Sequence, residues 1–263
     1  TGVFEDAILD RLLLVDGVNY GRQITIRQLL GHRSGMRDVF MDDGSKPSQS
    51  GEPVSDSHSF SNQVLSGLAE HAACREIPDC RLSDLKTGKS WSPWDPSQPD
   101  DKWAGVLNFY LNNDNMAASG LFRPGEGYHY SDTGYIILGL IVEKLTGENL
   151  AQVYRRQIFE PLGMARSYLQ YKEDSDPAAP WMGDLSDSYI GSFPIFSQGL
   201  NISFDWAGGG VVSTAGDLVK FIRGLAEGLL FKDGGTLEVM TDWTFYPRPD
   251  GAKVGRGYDL SIM

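Results

Sequence analysis

The chain has 263 residues, 41% of them hydrophobic and 22% charged, and a formal charge of −12 from 23 Lys+Arg against 35 Asp+Glu. This is a globular composition, long enough for one sizeable core or two small ones. The acidity, with no stretch that concentrates Lys and Arg, argues against nucleic acid as a partner, and the longest dense apolar run, residues 135–142, is far too short to span a membrane.

The chain opens on TGVFEDAILDRLLLV, with neither an initiator methionine nor a leader pattern, so an upstream segment is expected. Residues 24–31, ITIRQLLG, predict a short helix capped by Thr25, with Gln28 at capping-box spacing. HRSGMRD then ends it, and Ser34 reads as part of a turn rather than as a nucleophile. Residues 41–105 form a loop-rich insertion with a helical patch at NQVLSGLAEHAA. Trp91, Trp94 and Trp103 mark it as ordered, because disordered segments are poor in aromatics. Cys74 and Cys80 lie close together in a proline-containing loop. A disulfide there implies an oxidising compartment, the periplasm or the cell exterior; two free thiols in a cytosolic protein are the alternative. The four histidines never reach metal-ligand spacing with one another or with the cysteines, so no metal site is expected. His129 is expected to face outward or to cap a turn.

GYIILGLIVEKLTG, after Asp132 and Thr133, is apolar almost all round and predicts a buried helix stopped by Gly147. NLAQVYRRQIFEPLGM predicts a helix capped by Asn149 and ended by Pro161. Residues 171–205 read mostly as loop, and GLNISFDWAGGGVV is the best candidate strand. A last helix, capped by Ser213 or Thr214, places Leu218, Phe221, Ile222 and Leu225 at helical spacing.

Several stretches taken together resemble the class C β-lactamase-like serine hydrolases, a family of β-lactamases, D-alanyl-D-alanine carboxypeptidases, D-aminopeptidases and carboxylesterases. They are ITIRQLLGHRSGM, FRPGEGYHYSDTGYIILGLIVEKLTG, IFEPLGM and DWAGGGVVSTAGDLVKF, in the family's order. The resemblance implies an α+β fold. It makes the chain the helical lobe of a β-lactamase/transpeptidase-like domain over residues 1–263, incomplete at both ends, with most of the antiparallel sheet missing. It also implies catalysis through an acyl-enzyme on an ester or amide, with a small-molecule or peptide substrate and no cofactor.

In such enzymes a Ser-x-x-Lys pair supplies the nucleophile, and a tyrosine relays its proton. Carried over by motif, Tyr130 is that tyrosine and Asp132 its hydrogen-bonding neighbour, standing where the family usually has asparagine. A carboxylate accepts hydrogen bonds but cannot donate them, which moves the expected chemistry towards esterase or amidase. Gly208 and Gly209 would border the substrate's acyl group. Trp206 would line the same cleft or belong to the core. Packing for Tyr130 and simple helix capping for Asp132 are the plainer alternatives.

The nucleophile itself is missing. Residues 1–23 contain no serine, and the one Ser-x-x-Lys in the chain, Ser83 to Lys86, lies inside the insertion, where it reads as a surface turn. The enzyme reading therefore places the attacking serine outside this sequence. The competing reading is a non-catalytic relative that binds ligand and has lost the nucleophile. GRGYDLSIM resembles the strand shortly before the family's last motif.

Overall fold

The computed structural model of the chain describes residues 4–42, 91–113, 116–170, 172–173, 185–190, 193–194, 197, 202–242, 244–247, 253–256 and 261–262. Cys74, Cys80, Ser83, Lys86 and the helical patch of the insertion lie outside the described residues.

A short helix, α1 (Asp6–Leu9), leads into the hairpin β1 (Leu14–Val15) and β2 (Val18–Asn19). Asp16 (φ +51°) and Gly17 (φ +77°) form its turn, both left-handed, as a tight hairpin requires of an Asp-Gly pair. Helix α2 (Ile26–Leu30) carries both halves of the expected capping box: Thr25 Oγ1 accepts from Gln28 N–H at 3.2 Å, and Gln28 Oε1 accepts from Thr25 N–H at 2.8 Å.

Helix α3 (Val106–Asn112) is buried along most of its length. The sequence reading assigns no helix there, because a seven-residue segment that is apolar nearly all round offers no period to read. Helix α4 (Asp132–Thr146) begins and ends as expected, with Gly147 at φ +71° as its stop. Burial all round is corrected, however. Thr133, Gly134, Ile136, Ile137 and Gly139 are enclosed, while Leu145 near the far end is 73% exposed.

Asn149 caps α5 (Leu150–Tyr154), but the helix does not run on to Pro161. It passes into a π-helical turn, Arg155–Phe159, with Glu160 N–H donating to the Arg155 carbonyl at 2.9 Å. Strand β3 (Tyr168–Leu169) follows, and then the hairpin β4 (Tyr189–Ile190) and β5 (Phe193–Pro194) within the stretch read as loop. The long strand expected across GLNISFDWAGGGVV is instead a single helical turn, α6 (Trp206–Gly209), and a two-residue strand, β6 (Val211–Val212), antiparallel to β3.

Thr214 caps α7 (Ala215–Ala226), its Oγ1 accepting from Asp217 N–H at 3.2 Å. Helix α8 (Gly235–Met240) precedes an antiparallel sheet of β7 (Thr244–Pro247), β8 (Lys253–Arg256) and β9 (Ser261–Ile262) in that order. Helices with only short sheets among the described residues are what an α+β fold with a partial sheet looks like.

The core joins Leu13, Met36, Val39, Leu107, Phe109, Tyr110, Met116 and Ile136, all fully buried. Each such side chain stabilises the fold by roughly 1.5–3 kcal/mol relative to exposure. Trp91 is buried with them, its ring 6.5 Å from that of Trp103, which lies 5.3 Å from Phe109. The last residues of the insertion are thus anchored in the core.

Candidate active site

Two stretches far apart in sequence meet at the start of α4: residues 32–39, following α2, and residues 128–133. The first is a buried turn. Ser34 Oγ accepts from Met36 N–H at 3.2 Å, in keeping with a structural role. Gly35 sits at φ +82°, and a Cβ there would fall 1.9 Å from the Phe122 carbonyl oxygen, so no other residue fits. Arg37 Nε donates to the Ser119 carbonyl at 2.7 Å and to Ser119 Oγ at 3.0 Å.

Side-chain and backbone bonds then tie this turn to the start of α4. The Arg37 carbonyl accepts from Ser131 Oγ at 3.0 Å and from Thr133 Oγ1 at 2.8 Å, and Thr133 Oγ1 accepts from Val39 N–H at 2.9 Å. The His32 carbonyl accepts from His129 N–H at 2.9 Å, and His32 Nδ1 accepts from Ser131 N–H at 3.1 Å. Buried polar groups are costly unless paired, so these bonds fix the register of the two stretches.

Above this base Tyr130 is 44% exposed, and its hydroxyl donates to Asp132 Oδ1 at 2.9 Å. Asp132 is the first residue of α4 and does not cap it; Ser131 holds the cap position, with its hydroxyl turned to Arg37. The backbone of α6 runs directly beneath the carboxylates. A Cβ on Gly208 would lie 3.1 Å from Asp132 Oδ1, and one on Gly209 would lie 2.7 Å from Asp205 Oδ2. Trp206 is buried at φ +35°, its ring packed on Gly139 of α4. Tyr130, Asp132, Gly208 and Gly209 therefore come together, and Trp206 underlies them from the core side.

The charge at this site is unusual in sign and density. Burial first, then the charges of Asp132 and Asp42, push Asp38 up to about 8. Burial, and then Asp132, push Asp205 up to about 6. Asp38 Oδ1 accepts from Phe40 N–H at 2.9 Å, whereas its buried Oδ2 finds no partner among the described residues; a neutral carboxylic acid tolerates such burial far better than an anion. Asp42 Oδ2 accepts from Asp38 N–H at 2.8 Å and meets His129 Nε2 at 2.7 Å. His129 was expected to face outward or cap a turn; it is held by Asp42.

Sequence reasoning found Tyr130 and Asp132 through their motif. It missed His32, Asp38, Asp42 and Asp205, because nothing in spacing distinguishes three of 35 acids that converge only through the fold. No cluster of His, Cys, Asp or Glu among the described residues is arranged to hold a metal ion, and no helix among them is long and apolar enough to cross a membrane.

The family model described as Beta-lactamase matches residues 85–263. The chain belongs to the beta-lactamase family. Among curated relatives it is 31% identical over 118 residues to the serine beta-lactamase-like protein LACTB, mitochondrial, of Bos taurus, an alignment taking in 43% of this chain and 20% of that protein. Among solved structures it superposes on a D-stereospecific amidohydrolase from Streptomyces sp. with a TM-score of 0.60 at 21% identity, covering 99% of this chain and 64% of that one. The D-amino acid amidase from Ochrobactrum anthropi SV3, complexed with L-phenylalanine, gives 0.59 at 23% identity, covering 94% and 55%. The fold is thus β-lactamase/transpeptidase-like, and the chain spans less than two thirds of each of these proteins.

Proposed function

We propose that this beta-lactamase family chain is part of a serine hydrolase of the class C β-lactamase-like type, cleaving an ester or amide through an acyl-enzyme. The observation that carries the reading is the exposed Tyr130 phenol, hydrogen-bonded to Asp132 on the glycine backbone of α6. As its own proton passes to the Asp132 carboxylate along this hydrogen bond, the phenol oxygen can take up the proton of the serine, and the two protons return by the same path. Tyr130 is then the relay. The attacking serine loses its proton as its oxygen bonds to the substrate's carbonyl carbon, and the departing alcohol or amine gains a proton as the C–O or C–N bond breaks. Water then hydrolyses the acyl-enzyme by the reverse path and releases the acid.

Asp132 keeps the phenol oriented and repels anionic acyl groups, which favours neutral or cationic esters and amides. Gly208 and Gly209 border the acyl group, and Trp206 supports them from beneath. The serine and its lysine lie outside residues 1–263, as does one of the backbone N–H groups that stabilise the oxyanion. The Trp-rich insertion at 41–105 carries specificity, and the protein works in the periplasm or outside the cell.

Labelling the intact gene product with a serine-reactive fluorophosphonate, followed by peptide mapping, tests this reading. One label on a serine that precedes residue 1 and has lysine three positions on is the expected result. A label on Ser83 would move the nucleophile into the insertion and overturn the assignment. No label at all would make the protein a non-catalytic relative.

A further inference from the structure

Three non-glycine residues among those described have left-handed backbone: Asp16, His32 and Trp206. Asp16 is explained by its hairpin turn. The other two lie beside Tyr130 and Asp132, where no hairpin calls for them. Strain of this kind costs of order 1–3 kcal/mol and persists only where the surroundings enforce it, so each case invites the question of what the conformation achieves. For Trp206 it lets the ring pack on Gly139. For His32 the answer is more specific.

His32 is buried at φ +52°. From that conformation it makes three contacts with the segment that carries Tyr130. Its carbonyl accepts from the amide of His129, the residue before Tyr130. Its Nδ1 accepts from the amide of Ser131, the residue after Tyr130, at 3.1 Å. Its ring lies against the Tyr130 ring, centroids 4.5 Å apart and tilted by 32°, and the ring of Tyr135, on α4, is 5.1 Å away. One residue thus holds the backbone on both sides of Tyr130 and the phenol ring itself. An Nδ1 that accepts an N–H must carry its lone pair, so the imidazole is neutral with its proton on Nε2.

We propose that His32 is a positioning residue for Tyr130: its Nδ1, presented from a left-handed backbone, sets the Ser131 amide and through it the direction of the phenol. This rests on the reading that Tyr130 serves the reacting atoms. Asparagine is the replacement that isolates the claim. It tolerates left-handed backbone better than most residues, and its Oδ1 occupies the place of Nδ1 on Cγ. Glycine tolerates the same backbone but supplies no acceptor.

The test compares His32→Asn, His32→Gly and the parent in the intact gene product. The readouts are kcat and KM on a p-nitrophenyl ester and the ring-¹³C NMR signal of Tyr130, assigned by its disappearance in Tyr130→Phe. His32→Asn is expected to keep kcat within about threefold of the parent, with the Tyr130 signal moved only by loss of the imidazole ring current. His32→Gly is expected to move the signal further and lower kcat roughly tenfold to a hundredfold with little change in KM, the scale of a misplaced catalytic group.

A Tyr130 signal in folded His32→Gly that coincides with that of His32→Asn, which lacks the same ring but keeps an acceptor, overturns the proposal. So does a His32→Asn variant that displaces the signal and loses more than about tenfold in kcat, which holds even if the glycine variant does not fold. If Tyr130→Phe retains full turnover, the hydrolase role of Tyr130 fails. The NMR signal then still decides whether His32 positions it.

Discussion

The junction of residues 32–39 with α4 and the helix α7 are built in opposite ways. The junction is polar in sequence and buried in the fold, closed by hydrogen bonds such as Ser131 Oγ and Thr133 Oγ1 on the Arg37 carbonyl. Helix α7 has apolar residues at helical spacing, but Leu218, Val219 and Ile222 are 52%, 67% and 60% exposed. Its buried side is held by Asp217, whose carboxylate accepts from Arg166 N–H at 2.8 Å and Ser167 Oγ at 3.1 Å and pairs with Lys220 at 2.7 Å. Beside it Gly224 packs so closely on Leu162 that a Cβ would fall 2.4 Å from Leu162 Cδ2. Apolar periodicity therefore locates a helix without saying which face meets its neighbours. At the candidate site, where precision matters, polar groups with few alternative partners set the geometry.

The sharpest way to break this comparison is at Gly35. Gly35→Ala must strain a left-handed backbone and push against the Phe122 carbonyl. It should cost about 2–4 kcal/mol in denaturant melts, and a loss below about 1 would show that the junction yields easily.

A smaller, pH-dependent effect is expected at Asp38. Burial and the neighbouring Asp132 push its carboxyl up to about 8, far above the usual aspartate range, so the folded state keeps a proton that the unfolded chain releases. The stability linked to that proton is fully present below about pH 4 and is lost as pH rises towards 8. Asparagine mimics the neutral acid. Asp38→Asn should therefore match the parent most closely near pH 3.5 and melt at least about 2–4 °C higher at pH 8.5. A difference that shrinks with rising pH would contradict the sign.

The smallest effect belongs to α7. Within residues 1–263, Leu218→Gln and Ile222→Gln should each change stability by less than about 0.5 kcal/mol, as exposed substitutions do. A loss above about 1.5 from either would mean that this face is packed after all.

Much of the fold could be read in advance where the signal is local. Thr25 and Gln28, Asn149, Thr214 and Gly147 all cap or stop helices as their side chains or backbone freedom dictate. The failures lie where tertiary context decides. The single turn at Trp206–Gly209 interrupts a β-like run because Trp206 drops into the core against Gly139. The π-helical turn at Arg155–Phe159 has no sequence signature of its own. Tyr130 and Asp132 were legible through the motif by which their segment resembles the family. His32 and Asp205 were not, because they reach those residues only through separate loops.

In the proposed function Tyr130, held by Asp132, relays the proton of a serine nucleophile. That role is tested most directly by the turnover of Tyr130→Phe on a p-nitrophenyl ester, with a melting curve to confirm that the variant is folded. A fall in kcat of about a hundredfold or more at an unchanged melting temperature is expected. A folded variant that turns over at the parent rate would contradict it and leave Tyr130 and Asp132 as a capping arrangement at the start of α4.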